Sequence, residues 1–507
     1  MEQLETKEEI GGGIFFQYVN SIIGTLAGFI FYIYIIHFYT AQLVGTVALL
    51  LAITFVLNIL FSFGIGYGLQ HFVSYHLGRN EFASIRGIVV KFSTMGLGLA
   101  LLSFVFLYIT APIFATSFFH SNEYVPLVRL LGIDLFFMVA STILSGILIG
   151  FQSFKSQALW NVIGIVVTNL VPVVLLDLYN RIIFVVLGWA SGYAITSIAF
   201  AIFTIRRIDR LSITEEKVAI EPILKYAFPI FLASLVGIGA SYVDRFVVSY
   251  FLNLSLLGVY NFALLISSAI NFLVYPFATI LLPKLSEMYG SGKKNEMKDY
   301  ISRGIELISM IYVPAALLIA ALSSDVLLFL ASDEYLAASI PVTIVLFFSS
   351  IFITWNILSV SLQSIRKTKI FLLISSSALV SNFIISILLI PRFQMIGASI
   401  GYSSISGVSF FITYYYAKKF DILRFERVKM TKIYLSAFLM FLVVVTFERM
   451  LPYSPLKLLL FITVGFAIYS GMIKVLKTFD KSDLDFIMHL MPWWLQRLKV
   501  VISVLFL

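Results

Sequence analysis

Asp244 and Arg245 stand side by side inside an otherwise apolar stretch, 226–251, long enough to cross a bilayer. A charged side chain at the centre of a span costs roughly 2.5–3.5 kcal/mol on insertion scales, so such a pair needs a counter-charge or water. Adjacent helical residues project about 100° apart, so the two are not obliged to pair with each other. Arg129 and Asp134 enter the stretch 127–150 from its outer end and reach a similar depth. Pairing of Arg245 with Asp134, or of Asp244 with Arg129, would make an outer gate. A released Arg245 would offer a bidentate partner to a pyrophosphate or an acidic sugar. A structural ion pair that only positions its helix is the simpler alternative. Lys91 and Glu306 sit near the cytoplasmic ends of their own stretches, where an inner gate is the corresponding expectation. A snorkelling lysine and a solvated glutamate account for that second set more simply.

Neutral polar residues form the other candidate set. Gln17, Ser21, Gly24 and Gly28 fall at i, i+4, i+7 and i+11 with Asn20 beside them, which makes one polar, small-residue helix face. Ser234, Gly237, Ser241 and Arg245 make a similar face further on. Small residues at this spacing often mean close helix packing. Along a cleft, the same amides and hydroxyls would hydrogen-bond sugar hydroxyls. Asn58 and Asn271 are the sharper pair, for a reason that lies in the repeat.

The first half of the chain returns about 213 positions later. Ser21, Gly24 and Gly45 recur as Ser234, Gly237 and Gly258, and Asn58 recurs as Asn271. Ser74 and Gly78 recur as Ser286 and Gly290 in a slightly drifted register. A duplicated membrane bundle with polar residues in matching places is the architecture of an alternating-access transporter.

The 507 residues are 60% hydrophobic and 12% charged, with mean hydropathy +1.00. That excludes a soluble domain. No cleavable leader is expected, because the head 1–10 is polar and mostly acidic. Cys is absent, which removes thiol chemistry, and the five His show no paired metal-site spacing. No cofactor or metal is expected. The net charge of +9 comes from membrane-flanking loops, so nucleic acid is not an expected partner.

The pattern predicts an all-α integral membrane protein with about fourteen spans, near 11–38, 42–66, 88–111, 127–150, 161–177, 183–205, 226–251, 255–281, 303–324, 340–363, 371–390, 395–417, 432–450 and 456–477. When the loops are numbered alternately, one side receives most of the 35 Lys and Arg. The other receives only Arg129, Arg181, Arg392, Arg449 and Lys457. Both termini are therefore expected in the cytoplasm. The organisation expected is a six-helix bundle over 1–205, a cytoplasmic linker over 206–225 and a pseudo-twofold-related six-helix bundle over 226–417. Two added spans fall within 418–477, and an interfacial tail follows over 478–507, with Trp493, Trp494, Arg497 and Lys499 forming an aromatic-basic belt.

Three blocks resemble polysaccharide-lipid flippases of the MOP superfamily. They are Phe63-Gly64-Ile65-Gly66-Tyr67-Gly68 running to Ser74-Tyr75-His76-Leu77-Gly78-Arg79-Asn80, then Asp244-Arg245-Phe246-Val247-Val248-Ser249-Tyr250-Phe251, and Leu282-Pro283-Lys284-Leu285-Ser286-Glu287-Met288-Tyr289. The resemblance covers nearly the whole chain. It implies a two-lobed, multi-pass cell-membrane protein that carries a lipid-linked oligosaccharide from the cytoplasmic to the outer leaflet by alternating access. The carrier implied is a polyprenyl or dolichyl phosphate or pyrophosphate, with membrane lipids and glycan-assembly enzymes as further partners. No Walker-type glycine loop is present, so the energy source would be a gradient. Coupling to H+ or Na+ would need a carboxylate, and Asp134, Asp244 and Glu306 are the candidates. The rival reading is a drug or metabolite exporter related to the multidrug-and-toxin type, with cation antiport. Such exporters resemble this fold but stop at twelve helices and carry an acid in helix one, and the first span here has none. A membrane enzyme is disfavoured, because the outer loops are short and hold no convergent acid-base set.

Overall fold

The computed structural model describes residues 2–209, 219–367, 369–424, 426–448, 450–480 and 483–484, with side chains described from 20 onward except at 272–273, 275–280 and 283. Every regular element among them is helical. Contacts divide the chain into two compact units, Met1–Gly258 and Val259–Leu507.

The first unit holds α1 (Glu2–Phe38), α2 (Ala41–Ser62), α3 (Ile65–Gly78), α4 (Phe82–Phe118), α5 (Val125–Gly150), α6 (Phe154–Tyr179), α7 (Ile183–Ile208) and α8 (Glu221–Phe251), and the chain runs on into α9 (Leu254–Ala269). Thr40 caps α2 by accepting a hydrogen bond from the Leu43 amide. The helix then stops at two consecutive left-handed residues, Phe63 (φ 49°) and Gly64 (φ 66°). A second span expected to run to 66 therefore ends at Ser62, and α3 is a separate helix of 14 residues. Glycines set the spacing around this break. A Cβ at Gly146 would lie 2.2 Å from the Gly66 carbonyl oxygen, so α3 and α5 touch backbone to backbone. A Cβ at Gly64 would lie 2.9 Å from the Ala227 carbonyl oxygen, and one at Gly68 the same distance from Ile223. These contacts seat α8 against α3, and α8 also packs on α2 and α4. The repeat assigns 226–251 to the second bundle, but packing groups this helix with the first unit. Gly45 and its repeat counterpart Gly258 also meet: a Cβ on Gly258 would lie 2.0 Å from the Ala41 carbonyl oxygen.

The second unit continues α9 and adds α10 (Tyr275–Gly290), α11 (Lys294–Ala321), α12 (Ser323–Leu330), α13 (Ser339–Phe352), α14 (Trp355–Ser364), α15 (Lys369–Lys419), α16 (Arg427–Glu448) and α17 (Pro455–Val475). The span expected over 255–281 is broken by a 3-10 turn at Ile270–Leu273, because Pro276 in the first turn of α10 has no N–H to give. The span expected over 340–363 is likewise divided, into α13 and α14. By contrast, α15 is two helices joined at Gln394 (φ 49°, ψ −128°) just after Pro391. They fold back on each other: Ser381 donates to Ser404 across 2.8 Å, and a Cβ at Gly401 would meet Ser386.

Twelve helices among the described residues are long and apolar enough to cross a membrane, counting the folded-back α15 once, and Leu254–Ala269 is a shorter apolar helix. This is a multi-span all-α membrane protein. The expected tail over 478–507 and part of the expected linker lie outside the described residues.

Two ionic clusters hold α16 and α17 to the second unit. At one end Lys429 of α16 meets Glu306 of α11 at 2.9 Å and Asp483 at 2.7 Å. At the other, Lys457 of α17 meets Asp325 of α12 and Glu448 of α16, both at 3.1 Å. Lys457 and Asp325 are 6% and 2% exposed, so these charges stand only because they are paired. In the loop after α15, Lys298 and Lys294 hydrogen-bond Asp421 and hold its carboxyl below the usual carboxylate range. A depressed carboxyl contributes only where it is ionised, so this clasp is intact at neutral pH and is lost as pH falls through Asp421's lowered value. Hydrogen exchange of residues 420–424, corrected for intrinsic rates, should show protection retained from about pH 6 down to the ordinary Asp value of 3.8 and lost only below it. Lys457→Ala should lower stability by about 3–5 kcal/mol, since the buried Asp325 and the half-buried Glu448 lose their counter-charge. A thermal melt in detergent, with Lys457→Arg as control, reads this directly; an unchanged midpoint would refute it.

Candidate functional site

The break between α2 and α3 opens a cavity of about 400 Å³ in the first unit. Its wall starts with Asn58 and Ser62 at the end of α2 and continues with Tyr67 and Gln70 on α3. The facing wall is α5, which contributes Ser141, Thr142 and Ser145 at helical spacing. Gln157 and Asn161, one turn apart on α6, Tyr193 on α7 and Ser234 on α8 complete the polar lining. Among the described residues, no charged side chain lines the cavity.

The polar groups hold one another in place. Thr142 Oγ1 donates to Asn58 Oδ1 at 3.3 Å, and Gln157 Nε2 to Ser145 Oγ at 3.0 Å. Asn161 Nδ2 donates to Asn20 Oδ1 at 3.1 Å, which ties α6 to α1. An amide has two donors and two acceptor sites, so these bonds fix orientation without exhausting capacity. The arrangement suits a neutral, hydroxyl-rich ligand in a pocket of ordinary ligand-binding size.

Asn58 and Asn20 are thus part of this constellation, one in the wall and one just behind it. Gln17 lies outside the described side chains. Asn271 sits in the 3-10 turn of the second unit and accepts from Tyr312 at 3.4 Å. Both asparagines therefore lie at a helix break, five residues before Phe63 in one repeat and five before Pro276 in the other. Sequence reasoning missed Asn161, Gln157, Thr142, Ser145 and Gln70. Their signal was polar residues a turn apart on apolar helices, at 141/145 and 157/161, and the expected fifth span began too late to include Gln157.

The expected gates do not form as drawn. Arg245 reaches back along its own helix, donating to the Ser241 carbonyl and lying 3.5 Å from Asp244 and 4.6 Å from the centre of the Tyr242 ring. Helical side chains lean toward the N-terminus, which favours these intrahelical partners over a neighbouring helix. Asp244 is fully buried. Arg129 is exposed, with its guanidinium 4.7 Å from the Tyr108 ring centre. Asp134 does not pair with Arg245; it is 1% exposed and its Oδ1 has no hydrogen-bond partner among the described residues. It lies one turn beyond Met138, on the same α5 face that lines the cavity, with Tyr193 in electrostatic reach. Lys91 is exposed on α4. Glu306 is not solvated: it is 7% exposed, accepts from Ser302 and pairs with Lys429.

A buried carboxylate without a counter-charge is destabilising where it stands. Asp134→Asn should therefore fold with an unchanged or higher melting midpoint in detergent. A midpoint lowered by several degrees would reveal an ion pair at this carboxylate and refute the assignment.

A family model described as "polysaccharide biosynthesis protein" matches residues 45–340, more than half of the chain. An uncharacterized membrane protein of Methanocaldococcus jannaschii is 22% identical over 358 residues, covering 67% of this chain and 70% of that one. Among solved structures, the lipid II flippase MurJ in an inward closed conformation superposes with a TM-score of 0.72 at 17% identity, covering 91% of this chain and 98% of its own. An inward-facing multidrug resistance MATE family transporter of the MOP superfamily gives 0.64 at 16% identity, covering 80% and 98%. A MOP superfamily transporter from Pyrococcus furiosus gives 0.53 at 14%, covering 80% and 92%. The neutral-walled cavity thus sits in a flippase and transporter fold, and the chain belongs to the polysaccharide biosynthesis protein family.

Proposed function

We propose that this protein moves a lipid-linked oligosaccharide from the cytoplasmic to the outer leaflet by alternating access, with the glycan taken into the cavity at the α2–α3 break. The observation that carries this reading is the lining: amides and hydroxyls from six helices and, among the described residues, no charge. Sugar hydroxyls both donate and accept, as do these groups. The lipid chain needs no site of its own, because it stays in the bilayer while the head group crosses. The asymmetry of Lys and Arg puts the Arg79 end of α3 on the cytoplasmic side. Arg245, already desolvated beside Asp244, is the cation available to a phosphate or pyrophosphate.

Three carboxylates were open as coupling groups. Glu306 faces Lys429 and Asp244 faces Arg245, so each has a resident counter-charge. Asp134 has no cation within ion-pair distance among the described residues, which makes it the coupling carboxylate in this reading, with H+ or Na+ as its ion. The drug-exporter alternative fits less well. A cationic drug needs a carboxylate in its pocket wall, and this wall has none among the described residues. The match in length points the same way, since the MATE transporter covers 80% of this chain and the lipid II flippase 91%.

The test is reconstitution in liposomes with labelled lipid-linked oligosaccharide from the source organism, scored by access of an external glycan-modifying enzyme. Asn161→Ala and Asn58→Ala should each weaken head-group capture by about tenfold, the equivalent of ~1.4 kcal/mol for a lost buried hydrogen-bond partner. Arg245→Ala should fold and lose transport. Transport of a cationic dye at native rate, with no exposure of the glycan lipid, would overturn the flippase reading.

A further inference from the structure

Helix α3 carries a face that differs from the other exposed faces of the first unit. On α4 the exposed residues include Leu97, Leu101, Val105, Ile109 and Ile113, the aliphatic surface that lipid requires. On α6 they include Leu159, Leu170 and Leu178. On α3 they are Tyr67, Gln70, His71, Tyr75 and Gly78, followed by Arg79 at its C-cap. Four of these, Tyr67, His71, Tyr75 and Arg79, recur every fourth residue and so stand above one another along one side of the helix. At 14 residues α3 is also too short to span the hydrocarbon. A polar-aromatic face on a short helix is suited to water and not to acyl chains.

The rings are ordered. His71 lies 4.4 Å from Tyr226 of α8 with the planes 14° apart, and 6.5 Å from Tyr75 at 22°. The far end is locked by Arg79, which donates to the Tyr75 hydroxyl at 2.6 Å and pairs with Glu81 at 2.8 Å. Tyr67 and Tyr75 remain 54% and 49% exposed. The near end is continuous with the cavity, because Tyr67 and Gln70 belong to both.

We propose that Tyr67, His71 and Tyr75 form a stacking track for the sugar rings of the glycan, guiding it between the Arg79 end of α3 and the cavity. This rests on the oligosaccharide reading of the cavity. One face of a pyranose presents C–H groups, whose positive edge suits the negative face of an aromatic ring. The i+4 repeat sets successive platforms about 6 Å apart along the helix. Such platforms grip sugars without fixing their identity or sequence, while the amides in the cavity supply direction through hydrogen bonds.

Two readouts on the intact protein in nanodiscs and liposomes test the track. The first is saturation-transfer NMR and calorimetry with the free oligosaccharide, released by mild acid from the source organism's lipid-linked pool. The second is the glycan-exposure assay. The variants are Tyr67→Ala and His71→Ala, each beside its Phe counterpart, which keeps a ring and controls for folding. The track requires that each Ala variant bind the free glycan about tenfold more weakly and flip more slowly, while the Phe variants stay within twofold of native. Native-like binding by the Ala variants, in a protein that still flips, overturns the track and leaves the flippase reading standing. Flipping by the native protein without detectable binding of the free glycan also overturns the track. Absence of both binding and flipping in the native protein overturns the two readings together.

Discussion

A helix can stop in apolar surroundings only where its freed backbone groups find partners, and the first unit is organised around one such stop, after Ser62 of α2. At the end of α2 the Phe63 amide still reaches the Ile59 carbonyl, and the Gly64 carbonyl accepts from Tyr67 and Gly68 at the start of α3. Phe63 and Gly64 take left-handed conformations to make this turn. Gly64 and Gly146 have a second duty, since the Ala227 and Gly66 carbonyls stand where their side chains would be. The same break that satisfies the backbone stands in the wall of the cavity, which α2, α3, α5 and α6 line together.

Polarity is distributed by its cost. The cavity wall uses amides and hydroxyls, which tolerate low dielectric when hydrogen-bonded to each other. Charges gather where they can be paired. The second unit keeps Lys429 with Glu306 and Asp483 at one end of α16, and Lys457 with Asp325 and Glu448 at the other. These clusters attach the two helices that the repeat does not supply. Such pairs are poor sources of net stability but leave few alternative seatings for α16 and α17, because a slip of one turn would strand buried charge. Asp134 departs from this rule: it is buried one turn beyond the cavity-lining stretch of α5, and its Oδ1 has no hydrogen-bond partner among the described residues.

The asparagines show how far spacing alone reaches. Asn58 and Asn271 were legible as a repeat-related pair, and both stand just before a break in their helix. The breaks themselves were marked by Phe63-Gly64 and by Pro276, but apolar residues on either side disguised them as continuous spans. From the sequence Glu306 reads as a solvated end-of-helix charge or an inner-gate partner of Lys91; the structure buries it and pairs it elsewhere. Its partner, Lys429, is more than a hundred residues away on an added helix, and nothing in the local sequence points there.

The sequence by itself determined the membrane class, the helical content, the duplication and the family resemblance. These follow from composition, from runs of apolar residues matched to bilayer thickness and from a fixed repeat offset, all of which are local or periodic. Only the tertiary structure decided which polar groups share a cavity, that α8 packs with the first unit, and that Arg245 turns back to its own helix and not to Asp134. Those outcomes depend on where glycines let backbones touch and on which distant charges meet. Such contacts join residues whose separation in the chain carries no signal.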